Sequence, residues 1–303
     1  MDSAAQIRSG MVAIVGPPNA GKSTLLNTLL GQKISIVTPK PQTTRNRILG
    51  VVSHSDYQIV LLDTPGLHTA REPLNREMVR IAMNSLTEVD AVLFLVDVSL
   101  PAPERTRAER EKEISGWFEK IVSPAIMVLN KIDLIDRKEL LPLIESYAAL
   151  YPFKAIVPVS ALNGDGCGDL VAEILKLLPF GPRYFPEDMP TDASERFLAA
   201  EIIREKVFLK TGQEIPYATA VLIESFKEDD AKGLVTIHAA IVVEKDSQKG
   251  IIIGKGGKKL QSIGTAARRE IEEMVGCKVL LKLWVKVRKN WSQDERFLKE
   301  LGL

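Results

Sequence analysis

A chain of 303 residues is long for one packed core, so two domains of ordinary size are expected. With 45% hydrophobic and 26% charged residues, the composition excludes wholesale disorder, and no apolar run or leader sequence suggests a membrane span or export, so a cytoplasmic chain is expected. The net charge of +1 hides an asymmetry: residues 249–290 carry eleven Lys and Arg against three Asp and Glu.

From Met11 to about Leu178, short β-branched apolar runs alternate with longer amphipathic stretches. Strands are expected over Met11–Val15, Ile48–Ser53, Gln58–Leu62, Ala91–Val96, Ala125–Leu129 and Ala155–Val159. Helices are expected over Lys22–Leu30, Pro73–Leu86, Glu104–Lys120 and Glu139–Leu150. Several of the strands carry almost no polar residue, the pattern of strands buried on both faces of a mostly parallel sheet. Residues 1–180 are therefore expected to form a doubly wound α/β domain. Pro179, Gly181, Pro182, Pro186 and Pro190 punctuate the next stretch, so residues 181–191 read as a linker. Residues 192–303 read as a small α+β domain: a helix over Ser194–Lys210, strands over Ala218–Phe226 and Leu234–Val243, a turn and helix around Gly254–Val275, and a last strand over Val279–Val287. Cys167 and Cys277 lie far apart with no partner spacing, and His54, His68 and His238 are scattered, so neither a disulfide nor a transition-metal site is expected.

Gly16, Pro17, Pro18, Asn19, Ala20, Gly21, Lys22 and Ser23, followed by Thr24, have the spacing G-x-x-x-x-G-K-[ST] between an apolar strand and a helix. In that context backbone N–H groups turn inward around phosphates, Lys22 reaches the β and γ phosphates, and the Ser23 hydroxyl ligates Mg²⁺. Gln42, Thr43, Thr44, Arg45 and Asn46 follow as a switch segment in which a threonine hydroxyl completes the Mg²⁺ shell when a γ-phosphate is present; Thr44 is preferred to Thr43. Asp63, Thr64, Pro65 and Gly66 follow the next apolar strand, which puts the Asp63 carboxylate beside the metal and lets Gly66 offer its N–H to the γ-phosphate. Asn130, Lys131, Ile132 and Asp133 end another strand, where a carboxylate accepts paired hydrogen bonds from N1–H and the 2-amino group of guanine, which adenine lacks. Ser160, Ala161 and Leu162 would close the pocket over the base with a backbone N–H. Together these strings predict a GTPase that uses GTP, GDP and Mg²⁺, with Lys22, Thr44 and Gly66 as catalytic groups and Ser23, Thr44 and Asp63 as metal ligands. A kinase or ATPase is disfavoured by Asn130 and Asp133. Leu67 stands where Ras-like proteins place a water-orienting glutamine, so intrinsic hydrolysis is expected at or below roughly 10⁻³ to 10⁻² per second.

In the C-terminal half, Gly254, Lys255, Gly256 and Gly257 form a G-x-x-G loop between the apolar run Ile251–Ile253 and a helix that starts with Lys258 and Lys259. Two strands before the loop and a third after it match the order of a type II KH domain, in which such a loop lets the backbone of unpaired nucleotides approach. Ile253 through Lys259 are therefore the candidate RNA-binding residues, with the lysines neutralising phosphates. Lys282, Trp284, Lys286 and Arg288 share one face of the last strand.

The strings Pro-Asn-Ala-Gly-Lys-Ser-Thr-Leu-Leu-Asn, Gln-Thr-Thr-Arg, Asp-Thr-Pro-Gly-Leu-His, Glu-Ile-Ile-Arg-Glu-Lys, Ile-Gly-Lys-Gly-Gly and Leu-Trp-Val-Lys-Val resemble those of the bacterial Era-type GTPases along almost the whole chain. That resemblance implies a monomeric switch protein that binds the 3′ end of 16S ribosomal RNA and assists small ribosomal subunit biogenesis, with a peripheral fraction at the inner membrane. It also implies that Asn19 helps to hold a potassium ion. The alternative reading keeps the GTPase but gives the C-terminal domain a protein or membrane partner, and predicts no RNA affinity.

Overall fold

The structure, a computed structural model, describes residues 7–67, 73–99, 115–212, 215–229 and 231–303. These fall into two compact units. One takes the described residues of 1–35, 44–70 and 77–192; the other takes those of 36–43, 71–76 and 193–303.

The first unit is built on β1 (Ile7–Val15), β2 (Ile48–Ser53), β3 (Tyr57–Asp63), β4 (Ala91–Asp97), β5 (Ala125–Asn130), β6 (Ala155–Val159) and the short β7 (Phe180–Gly181). They form a seven-stranded sheet in the order β2-β3-β1-β4-β5-β6, with β7 paired to β1. The pairs β1 with β3, β1 with β4, β4 with β5 and β5 with β6 are parallel, whereas β2 and β7 pair antiparallel to their neighbours. Its helices include α1 (Lys22–Leu30), α2 (Pro73–Asn84), α3 (Leu140–Ala148) and α4 (Cys167–Leu177).

The apolar runs are continuous because both faces of the sheet are covered. Ala13, Val15, Val92, Phe94, Met127 and Leu129 pack with Ala82, Leu86 and Tyr147 in one cluster. Their neighbours Val12, Ile14, Leu93, Leu95, Ile126 and Val128 point the other way and are equally buried. Helix α1 has the expected bounds because a glycine in left-handed conformation closes each end, Gly21 at φ 97° and Gly31 at φ 69°. Helix α2 stops at Asn84, two residues before its expected end, and the Ser85 hydroxyl then donates to the carbonyl of Ile81. Of the expected helix over 104–120, residues 104–114 lie outside the described residues, as does His68.

The stretch after β7 is bound along the sheet. Gln58, fully buried in β3, accepts from the N–H of Tyr184 (2.7 Å) and Phe185 (3.0 Å) and donates to the Phe185 carbonyl (2.9 Å). Val51 N–H donates to Pro190 O at 2.8 Å, and the Thr191 hydroxyl donates to Leu49 O at 2.6 Å. Sequence composition showed only a proline-rich linker there; the docking depends on one buried glutamine and on backbone groups of β2, all far away in the chain.

The second unit contains α5 (Glu195–Lys210), β8 (Ala220–Asp229), β9 (Leu234–Val243), α6 (Asp246–Ile253), α7 (Lys258–Val275), β10 (Lys278–Val287) and α8 (Glu295–Glu300). Central β9 pairs antiparallel with β8 and parallel with β10. Ile203 and Val207 of α5 and Ile263, Ala267 and Ile271 of α7 meet Ile237, Ala239 and Ile241 of β9 in one core. Full burial of each such aliphatic side chain contributes roughly 1.5–3 kcal/mol. The Ser194 hydroxyl caps α5 by accepting from Phe197 N–H. Strand β8 starts two residues and ends three residues later than the expected Ala218–Phe226, and two further elements differ from expectation. Ile251–Ile253 is the last turn of helix α6 rather than a separate apolar run, and α8 follows a fully buried Trp291 whose indole N–H donates to Ala218 O at 2.9 Å. No described helix is long and apolar enough to cross a membrane.

Candidate functional site

Parallel strands carry their C-terminal ends to one edge of a sheet, so the segments after β1, β3, β5 and β6 all emerge there. Those segments hold the four motifs. The loop from Gly16 to Gly21 leads into α1, whose N-terminus no side chain caps, which leaves its first N–H groups for another acceptor. Asn19 adopts φ 61° within it, a conformation uncommon for a residue with a side chain. Lys22 is buried and arches over its own loop, donating to Gly16 O at 3.1 Å and Pro17 O at 2.9 Å. Burial lowers its pKa to about 8, with Asp63 opposing that shift.

This value has a measurable consequence. The native chain releases the Lys22 proton near pH 8 and the unfolded chain near 10.5, so in between the unfolded state binds more protons and stability rises with pH. The melting temperature of the nucleotide-free protein minus that of Lys22→Met is expected to rise from pH 8 to pH 10. A flat difference across that window would refute the buried, partly deprotonated lysine.

Three oxygens converge below the loop. Ser23 Oγ donates to Asp63 Oδ2 at 2.6 Å and lies 2.8 Å from Thr44 Oγ1, which is itself 3.4 Å from the carboxylate. Asp63 Oδ1 is buried with no hydrogen-bond partner among the described residues, and burial raises the carboxyl pKa despite the hydroxyls of Ser23, Ser35 and Thr44. Hydroxyl and carboxylate oxygens with one carboxylate oxygen unused are the donor set of a hard divalent cation such as Mg²⁺. Ser35, whose hydroxyl donates to Asp63 at 2.8 Å, carried no motif and was not foreseen. The two threonines separate: Thr43 Oγ1 turns to Thr38 Oγ1 (2.6 Å) and Lys40 O (2.8 Å), away from this cluster. Gln42 stands at φ 59°, and Arg45 is buried.

Thr64 is buried and donates to Ile14 O at 2.8 Å, tying the strand end of β3 to β1. A Cβ on Gly66 would lie 2.8 Å from Pro18 Cα, so only glycine lets this segment approach the phosphate loop so closely. Leu67 is buried in the core cluster, and its N–H donates to Gly16 O.

Asn130 is a brace. Its amide NH₂ donates to Ala20 O at 2.7 Å and its oxygen accepts from Ala161 N–H at 2.9 Å, which holds the phosphate loop and the loop after β6 together. A Cβ on Gly21 would lie 2.2 Å from that NH₂. Thr28 adds a second tie, donating to Ala161 O at 2.6 Å. Lys131 adopts φ 70°, and its ammonium meets Asp97 Oδ2 at 2.5 Å, while Asp97 Oδ1 accepts from the N–H and hydroxyl of Ser99. Asp133 follows on a short 3-10 turn and is exposed. Ser160 and Ala161 are buried and Leu162 projects outward, 76% exposed. Sequence reasoning missed Thr28, Asp97 and Ser99, whose partners are 34 to 133 residues away or belong to no motif.

In the second unit the loop between α6 and α7 holds Gly254, Gly256 and Gly257 at φ 70°, 59° and 76°. Lys255, Gly256 and Lys258 are exposed, whereas Ile253 and Lys259 are half-buried. A Cβ on Gly254 would lie 2.7 Å from Lys259 Cβ. Beside the loop opens a cavity of about 430 Å³, lined in part by Gly257, Leu260, Gln261, Arg268, Leu281 and Leu283. It uses the apolar face of β10. On the opposite face Lys286 pairs with Glu224 (2.5 Å), Arg288 pairs with Asp294 (2.6 Å), and half-buried Trp284 packs edge-on to His238.

A phosphate loop, a guanine-type motif and a G-x-x-G loop on these two folds define a P-loop GTPase followed by a KH domain. Residues 11–131 match the 50S ribosome-binding GTPase family and residues 214–292 match the KH domain family. The chain is 55% identical over 295 residues to GTPase Era of Geobacter metallireducens, covering 97% of each, and 53% identical over 297 residues to that of Geotalea uraniireducens, covering 98% of each. It belongs to the Era family of GTPases. A single-residue variant of Aquifex aeolicus Era bound to GDP.AlF4⁻ shares the fold with a TM-score of 0.91 at 44% identity, covering 98% of this chain and 99% of that one. Era in complex with MgGDPNP and nucleotides 1506–1542 of 16S ribosomal RNA is similar to the same extent: TM-score 0.91, 44% identity, 98% and 99% coverage.

Proposed function

We propose that the chain binds GTP with Mg²⁺ in the first unit, binds single-stranded ribosomal RNA in the second, and couples the two during small ribosomal subunit assembly. The observation that carries the nucleotide half is the Asn130 brace, which ties the phosphate loop to the loop that holds Ala161. Gly16 through Thr24 surround the phosphates and Lys22 reaches the β and γ groups. Ser23, Asp63 and, in the triphosphate state, Thr44 would hold Mg²⁺, which when bound would neutralise phosphate charge. Gly66 donates its N–H to the γ-phosphate, and Asp133 reads guanine. With Leu67 in the core, no side chain at that position orients the attacking water, which supports slow unassisted turnover.

The RNA half rests on the left-handed glycines of the α6–α7 loop, its exposed lysines and the adjoining apolar cavity, the arrangement that admits a nucleic-acid backbone and its unstacked bases. The relative crystallised with nucleotides 1506–1542 of 16S ribosomal RNA supports this choice of RNA. The test is titration of the full chain, loaded with GDP or with a non-hydrolysable GTP analogue and Mg²⁺, with an oligonucleotide of the 3′ end of 16S ribosomal RNA. Tighter binding in the triphosphate state is expected, with affinity falling as salt rises. Equal affinities would remove the coupling, and absence of binding in both states would remove the RNA.

A further inference from the structure

A threonine inside a helix has a partner close at hand, the carbonyl three or four residues back. Thr28, in the last turn of α1, reaches elsewhere: its Oγ1 donates to Ala161 O at 2.6 Å, across 133 residues of chain. A branched side chain has few rotamers in a helix, so the helix itself sets the direction of that hydroxyl.

The loop that receives the bond is closed on itself. Ser160 N–H donates to Asp165 O at 2.9 Å, Gly164 N–H donates to Ser160 O at 2.8 Å, and Asn163 N–H donates to Ser160 Oγ at 3.3 Å. Ala161, 1% exposed, is gripped from both sides: its N–H donates to Asn130 Oδ1 at 2.9 Å and its carbonyl accepts from Thr28. The Ala161 carbonyl and the Leu162 N–H belong to one rigid peptide plane. With both polar groups of Ala161 held, that plane cannot turn, and the N–H groups of Ala161 and Leu162 keep their directions.

Guanine carries a 6-oxo acceptor that a backbone N–H can meet, and adenine has an amino group in its place. We propose that Thr28 is a positioning residue for base recognition: by holding the Ala161 carbonyl it fixes the peptide between residues 161 and 162, so that the loop's backbone N–H meets the 6-oxo oxygen. This rests on the reading of residues 160–162 as the segment that closes over the base. One helix then serves both ends of the nucleotide. The uncapped N-terminus of α1 faces the phosphates, and its last turn aims the base loop. A packing role alone would be filled as well by valine, which has the same branched shape and no hydroxyl.

The experiment uses the full chain as wild type, Thr28→Val and Thr28→Ser, and reads equilibrium affinities for GDP, inosine diphosphate and 6-thio-GDP. Inosine keeps the 6-oxo group and lacks the 2-amino group. 6-Thioguanine keeps N1–H and the 2-amino group and replaces the oxygen with sulfur, a weak acceptor. Thr28→Val is expected to bind GDP and inosine diphosphate about tenfold more weakly, the scale of one hydrogen bond, and 6-thio-GDP within about twofold of wild type. Thr28→Ser keeps the hydroxyl and is expected to bind GDP within about twofold of wild type. Equal losses for all three nucleotides in Thr28→Val would mean a general loosening of the pocket and would overturn the proposal. So would an unchanged GDP affinity, or a loss in Thr28→Ser as large as in Thr28→Val. If wild type binds 6-thio-GDP as tightly as GDP, the 6-oxo group is not read, and the base-closing reading of residues 160–162 falls together with the proposal. If Thr28→Val does not fold, Thr28→Ala, the better helix former, carries the same expectation, and equal or absent losses there also overturn the proposal.

Discussion

Asp133→Asn is expected to move base preference from guanine to xanthine and to lower GTP affinity by about two to four orders of magnitude. Guanine presents two donors, N1–H and the 2-amino group, and an ionised carboxylate accepts both. Hydrogen bonds to charged groups are worth about 1.5–3 kcal/mol each, and tenfold in affinity is about 1.4 kcal/mol, so losing one bond of the pair, leaving the other with a neutral acceptor and setting two donors against each other gives the stated range. Asparagine keeps one acceptor and replaces the other with an NH₂ donor, which xanthine's 2-oxo group matches. The fold should tolerate the change, because Asp133 is exposed and its turn is set from outside it, by Lys131 at φ 70° and the Lys131–Asp97 ion pair. Equilibrium binding of GTP, GDP and xanthosine triphosphate checks it. Retention of guanine preference in the variant would overturn the base-reading role.

The paired substitution Lys255→Asp and Gly256→Asp is expected to weaken binding of a 16S 3′-end oligonucleotide by about a hundredfold. It removes one cation and places two carboxylates where the nucleic-acid backbone must come close, so the change in charge is three units at the loop. Gly256 sits at φ 59°, and a Cβ there meets nothing within 4 Å. Aspartate tolerates that left-handed conformation better than most residues. The helices on both sides should therefore persist, and a melting temperature within a few degrees of wild type is the accompanying control. The salt dependence of residual binding should also flatten. Unchanged affinity in a folded variant would favour a protein or membrane partner for this unit.

Much of the fold was readable because its signals are local. Helix α1 is bounded by glycines at Gly21 and Gly31, and the central strands announce themselves by apolar runs that need no partner to be recognised. The phosphate-loop, Asp63 and Asn130–Asp133 strings were legible for the same reason, since each occupies a few consecutive residues at a strand end. What escaped is what depends on distant partners. Ser35 reaches Asp63 across 28 residues, and Thr28 reaches Ala161 across 133; neither has a neighbour that would flag it. Helix α6 was hidden because most of its eight residues are polar or glycine, and only the closing isoleucines show periodicity worth reading. Its start is marked by Gln248, which accepts from the N–H of Glu244 and Lys245, a capping bond that composition does not reveal. Asn130 was read as part of the base motif, and the structure gives both halves of its amide to backbone groups of neighbouring loops.

The proline-bearing stretch along β2 has a consequence of another kind. β2 is the last strand on its side of the sheet, and an uncovered strand edge is a template on which a second molecule can add its own strand. Here the outward-facing groups of Leu49 and Val51 are already occupied by Thr191 and Pro190. Proline accepts a hydrogen bond but has no N–H to hand on, so the ladder ends at that point. The proline-bearing stretch thus guards the sheet of the first unit against edge-to-edge aggregation. A protease cut between Phe185 and Pro190 would expose a sticky margin on a sheet whose interior remained intact.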